Sequence, residues 1–91
     1  MESYRFLIRG KVQHVYYRKF VSQALMRKQV QGYVRNLKDG QVEVVARLWE
    51  EDIDDVMTIL RQGSPASEVE EIVTEVLEED DLVYDGFEIR Y

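Results

Sequence analysis

The chain has 91 residues, no cysteine, one histidine and a formal net charge of −6. A chain this short buries only about 60–65% of its unfolded surface, in a single core, so one domain over residues 1–91 is expected. Disulfides, thiolate metal sites, a cysteine nucleophile and a His-rich metal centre are excluded. With no apolar signal-like start and no apolar run of about 20 residues, the expectation is a cytoplasmic protein without membrane attachment.

The charge is divided. Residues 1–41 carry +7 and residues 42–91 carry −13. An acidic chain is a poor general ligand for nucleic acid, whose binding rests largely on neutralised phosphates. A basic half can still draw in a small anion. The acidic half also reads simply as a solubilising surface.

Tyr4, Phe6 and Ile8 alternate with Arg5 and Arg9, which predicts a strand ended by Gly10. After a short connection, Tyr17, Phe20, Val21, Ala24 and Leu25 recur at helical spacing. They predict one face of a helix running to about Gln29, with Gly32 marking its end. A second strand is expected over Tyr33–Leu37, then an Asp39-Gly40 hairpin turn. Val42, Val44, Ala46 and Leu48 give a third strand. Acidic residues 50–52 suit the start of a second helix, where the dipole favours negative charge. That helix carries Ile53, Val56, Met57 and Leu60 and closes at Gly63-Ser64-Pro65. Val69–Leu77 reads as a strand whose alternation slips at Glu70-Glu71, as a bulge would make it. Glu78–Asp81 reads as a turn, and Phe87, Ile89 and Tyr91 as a short terminal strand.

The order β-α-β-β-α-β plus a terminal strand predicts an α+β, ferredoxin-like split βαβ sandwich. Two helices cover one face of an antiparallel sheet, with strands 1 and 3 central. Many functions share this fold, so activity must be argued from a site.

The first strand leads into Gly10-Lys11-Val12-Gln13-His14-Val15-Tyr16-Tyr17-Arg18, and a helix follows at once. Such a loop presents free N–H groups and the positive end of a helix dipole, a ready anion site. Arg18, in the first turn, can hold a phosphoryl group through two parallel hydrogen bonds. By spacing alone it is equally one of nine basic residues in this half. Asn36 alone reads as an ordinary strand-end residue.

These residues resemble the acylphosphatase family. Gly10 to Arg18 is similar to the signature G-x-V-Q-G-V-x-(F/Y)-R. Gly32-Tyr33-Val34-Arg35-Asn36-Leu37-Lys38-Asp39-Gly40-Gln41-Val42 is similar to the second signature, G-aromatic-x-(K/R)-N-x-x-x-G-x-V. The ending Phe87-Glu88-Ile89-Arg90-Tyr91 also resembles the family's. The resemblance implies the ferredoxin-like fold and hydrolysis of acyl phosphates to a carboxylate and phosphate. It implies a phosphate-binding Arg18, a water-positioning Asn36 and a cradle of amides over Gln13, His14, Val15, Tyr16, Tyr17 and Arg18. No Walker-type Lys-Ser/Thr and no Asp cluster for magnesium is present, so neither metal nor cofactor is expected. The expected partner is a small acyl phosphate, with no nucleic acid or membrane. Short, charged edge strands favour a monomer.

The chain departs from the signature at His14, where the family has glycine. If the position needs a positive φ, histidine is strained there, though less than a β-branched residue. His14 then reads as a tolerated side chain pointing to solvent, an added anion-binding group, or a block that leaves a binding module without turnover. Tyr17 in place of phenylalanine can keep its ring in the core while its hydroxyl reaches the edge. Tyr4, Tyr16, Tyr33 and Tyr91 read as core and edge residues. An RNA-binding reading would need exposed aromatics on the central strands, which offer Arg5, Leu7 and Arg9, and Glu43, Val45 and Arg47.

Overall fold

The computed structural model describes residues 1–78 and 85–91; part of the turn expected over Glu78–Asp81 lies outside them. The elements are β1 (Glu2–Lys11), α1 (Tyr17–Arg27), β2 (Gln31–Asn36), β3 (Val42–Leu48), a 3-10 turn (Glu50–Asp52), α2 (Ile53–Gln62), β4 (Glu68–Leu77) and β5 (Phe87–Arg90). They form one sheet in the order β4-β1-β3-β2-β5, so β1 and β3 are interior as expected. The first four strands pair antiparallel, whereas β5 lies parallel to β2 and makes the sheet mixed.

The β1 residues Tyr4, Phe6 and Ile8 and the β3 residues Val42, Val44, Ala46 and Leu48 point to one face. There they join Tyr17, Val21 and Leu25 of α1 and Val56 and Leu60 of α2 in a single buried cluster. Both helices therefore cover the same side of the sheet, and the alternating and helical periodicities meet in one core. Phe20, read as a core residue, is 41% exposed. The buried stripe of α1 instead runs through Tyr17, Val21, Ser22 and Leu25, with the Ser22 hydroxyl donating to the Lys19 carbonyl.

Two glycines do other work than expected. Gly10 does not end β1; the strand continues to Lys11. The register jumps there, Arg9 facing Glu71 and Gly10 facing Val69, which makes Glu70 the extra residue of the bulge. A Cβ on Gly10 would lie 2.1 Å from the Glu68 carbonyl oxygen, so only glycine permits this pairing. Gly32 does not close α1. It lies within β2 opposite Ala46, where a Cβ would come 1.9 Å from the Val45 carbonyl oxygen. The helix ends earlier, at Arg27, and Gln29 turns the chain with φ 60°.

Among the described residues the far side of the sheet carries no helix, and it is held by charge. Glu43 on β3 is buried, its carboxylate accepting from Arg5 Nε at 2.6 Å and from Arg35 Nε at 2.6 Å. Burial alone would raise this carboxyl, but the two guanidinium hydrogen bonds outweigh it and hold Glu43 below the usual carboxylate range. Arg5 also reaches Glu75 at 2.9 Å, and Arg9 reaches Glu71 at 3.1 Å.

Candidate active site

The loop between β1 and α1 is curved by backbone sign changes. His14 has φ 62° and Tyr16 has φ 62°, while Gln13, Val15 and Tyr17 between and beside them stay on the negative side. Alternation of this kind turns successive N–H groups inward, forming a concavity that suits an anion. Among the described residues, the turn and cap hydrogen bonds use no N–H between Gln13 and Arg18. The loop then runs directly into α1, whose first N–H groups add to the same concavity.

The loop is tied down from two sides. The Gln13 amide donates to the carbonyls of Leu37 and Gln41, both at 2.8 Å, which fixes the loop against the β2–β3 hairpin. The buried Ser64 hydroxyl donates to the Val15 carbonyl and fixes the loop against the end of α2. Tyr17 anchors the start of α1. Its ring is 1% exposed, and its hydroxyl donates to the Leu60 carbonyl at 2.7 Å. The hydroxyl thus stays in the core rather than reaching the edge, and burial pushes its pKa up.

Over this loop lies an open cavity of about 400 Å³ lined by Val12, His14, Tyr16, Tyr17, Arg18, Lys19, Asn36, Ile89 and Tyr91. Arg18 and Asn36 meet there because β2 ends beside the loop that starts α1. Arg18 is half-buried as a residue; its guanidinium lies 4.8 Å from the centre of the Tyr91 ring and donates weakly to the Arg90 carbonyl at 3.4 Å. Asn36 Oδ1 is buried and has no hydrogen-bond donor among the described residues. A buried acceptor left open in this way costs stability unless something else donates to it. Among the described residues the cavity wall includes Arg18, Lys19 and His14 but no Asp or Glu side chain, and no Lys19 ion pair occurs among them.

Five of the seven residues predicted for the site, namely His14, Tyr16, Tyr17, Arg18 and Asn36, line this one cavity. The side chains of Gln13 and Val15 do not: the first braces the hairpin and the second is 9% exposed in the core. Lys19, Ile89 and Tyr91 were not expected at the site. Ile89 and Tyr91 arrive through the parallel β2–β5 pairing, for which the sequence carries no local signal. Tyr16 and Tyr91, expected in core and edge, are 75% and 98% exposed.

A model of the acylphosphatase family matches residues 4–89. The chain belongs to the acylphosphatase family. It is 42% identical over 89 residues to an acylphosphatase of Petrotoga mobilis, covering 96% of each chain. It is 37% identical over 91 residues to one from Methanocella arvoryzae, covering 99% of this chain and 100% of the relative. The crystal structure of acylphosphatase from Bacillus subtilis superposes with a TM-score of 0.90 at 31% identity over the full length of both chains. Membership makes this acylphosphatase-family chain a hydrolase acting on acid anhydrides, with the ferredoxin-like fold described above. Among the described residues no helix is long and apolar enough to cross a membrane.

Proposed function

We propose that the chain hydrolyses acyl phosphates by direct attack of water on phosphorus. The observation that carries this reading is one cavity, lined by no Asp or Glu side chain among the described residues, whose wall joins the sign-alternating loop, Arg18 and Asn36. In this reading the phosphoryl oxygens accept from the amides of Gln13, His14, Val15, Tyr16, Tyr17 and Arg18. The Arg18 guanidinium clamps the same group with parallel hydrogen bonds. The Asn36 carboxamide, on the wall of the same cavity, hydrogen-bonds the attacking water and aims the water's lone pair at phosphorus, in line with the bond to the acyl oxygen.

In the reaction an acyl phosphate dianion and water give a carboxylate and dihydrogen phosphate, so atoms and charge balance. The new bond joins the water oxygen to phosphorus, and the bond broken joins phosphorus to the acyl oxygen. A carboxylate leaves without a general acid, because its conjugate acid has a pKa of about 4–5. A neutral amide cannot be a strong base, and a loose phosphoryl-transfer transition state does not require one. The chain's task is positioning and charge stabilisation. We read it as a cytoplasmic monomer that needs no metal or cofactor.

His14 is the residue on which a merely binding, non-catalytic loop would depend. Histidine is among the side chains better tolerated at this φ, its ring is exposed, and the loop keeps its curvature with it in place. These facts support a working loop.

Turnover of benzoyl phosphate in EDTA and ¹⁸O-labelled water tests the proposal. The expected outcome is hydrolysis with one labelled oxygen in phosphate and none in benzoate, and a kcat for Asn36→Ala lowered about 100-fold. A folded protein without turnover, or label in benzoate, would overturn it.

A further inference from the structure

Tyr16 pays for its position without any visible return inside the fold. It caps α1 in the left-handed region, at φ 62° and ψ 19°, with no side-chain capping hydrogen bond. Bulky aromatic residues are uncommon there, and glycine or asparagine would hold the same backbone with less strain. Its ring is 75% exposed and so adds little to the core, yet it lines the cavity over the loop. Strained residues of this kind concentrate where a ligand is held.

The same cavity is lined by a second exposed ring, Tyr91, and by Val12 and Ile89. One face of Tyr91 is occupied by the Arg18 guanidinium, so an aromatic surface adjoins the group that would clamp the phosphoryl. A phosphoryl seated in the loop leaves its acyl group projecting out of the concavity, where the rings stand.

We infer that Tyr16 and Tyr91 form an acyl-group subsite that selects acyl phosphates with a planar aromatic acyl group, Tyr16 being the specificity-determining residue. The inference rests on the proposed phosphoryl cradle. The Tyr16 amide belongs to that cradle, whereas its ring meets the part of the substrate that departs. Two flat, water-facing rings favour a flat partner through offset stacking or edge-to-face contact, which a saturated ring of equal size does not reproduce.

The test uses acylphosphonates, in which a carbon–phosphorus bond replaces the scissile one. Affinities of the full chain for benzoyl-, cyclohexanecarbonyl- and acetylphosphonate are measured by calorimetry, with inorganic phosphate as a probe of the cradle alone. The wild type is expected to bind the benzoyl compound about tenfold more tightly than either of the others. Tyr16→Gly, whose backbone suits the left-handed turn, should lose that preference, and Tyr16→Phe should keep it. Tyr16→Asn, equally suited to the turn and lacking the ring, should match Tyr16→Gly.

Equal affinity for the benzoyl and cyclohexane compounds would overturn the inference. So would a Tyr16→Gly variant that loses phosphate and benzoylphosphonate affinity by the same factor, since the ring would then act only through the loop. The two readings fail separately. Ordered phosphonate binding without hydrolysis of benzoyl phosphate sinks the enzyme proposal and leaves the subsite. Hydrolysis without ordered binding does the reverse.

Discussion

The two sides of the sheet use arginine in opposite ways. On the open side Arg5, Arg9, Arg35 and Arg90 each reach a carboxylate, with Glu43, Glu71, Glu75 and Glu88 as partners. At the mouth of the loop Arg18 meets a carbonyl and an aromatic ring, and the surrounding wall offers no Asp or Glu side chain among the described residues. The first set is neutralised within the fold, and its carboxylates compete with any visiting anion. The second, on the proposed reading, keeps its charge for a ligand, beside amides that make no turn or cap hydrogen bond among the described residues. Position in the chain does not separate the two sets, since Arg9 and Arg18 flank the same loop. Their partners separate them.

The largest effect that would sharpen this contrast is on activity. Arg18→Ala should lower kcat/KM for benzoyl phosphate by about 100- to 1,000-fold, the range seen when one donor to a transition-state oxyanion is removed. The urea midpoint should barely move, because among the described residues the guanidinium makes one long hydrogen bond and one contact with the exposed Tyr91 ring.

On the paired side the effect should fall on stability instead. Glu43→Gln should destabilise the fold by about 1–3 kcal/mol, less than for a fully buried pair because Arg5 and Arg35 keep access to water. Its kcat/KM should stay within about threefold of wild type, since Glu43 is not among the residues that line the cavity with Arg18 and Asn36. A Glu43→Gln variant that keeps its stability and loses its activity would break the comparison.

Acid should reveal the same pair. The folded-state pKa of Glu43 lies below its unfolded value, about 4.3 for a free glutamate. Its stabilising contribution is therefore complete above that value and is lost as pH falls through the folded one. Denaturant midpoints of wild type and Glu43→Gln should differ at pH 7 and converge as the pH drops below about 4. A gap that widens in acid would contradict the assignment.

The smallest effect concerns His14. His14→Gly relieves a left-handed strain but frees the unfolded chain, so the two terms oppose, and stability should change by less than about 1 kcal/mol. A larger gain in thermal unfolding would mean that the loop stores more strain than its φ implies.

Much of the fold was legible because its signals are local. Alternation located β1 and β3, helical spacing located α1 and α2, and the slip at Glu70-Glu71 announced the bulge. The sequence misled where a residue answers to a distant neighbour. Gly10 and Gly32 look like punctuation, yet each is a strand residue pressed against another strand's backbone. Glu43 and Val45 look like the wet half of an alternating strand but are 2% and 1% exposed, because β3 is interior and long side chains close over it. At the site, Arg18 and Asn36 were legible through the resemblance rather than through spacing, which left both readable as ordinary residues. Lys19, Ile89 and Tyr91 were not, since a parallel β5 beside β2 is a tertiary choice with no sequence mark.

The most direct test of the central claim is a titration of the full chain with inorganic phosphate, followed through backbone amide and arginine Nε–H signals in ¹H–¹⁵N NMR spectra. The account predicts that the amides of His14 to Arg18 and the Arg18 side chain shift together along one binding curve, while the side chains of Arg5, Arg9 and Arg35 stay still. Shifts centred on the paired arginines of the open face, or none at the loop, would contradict it.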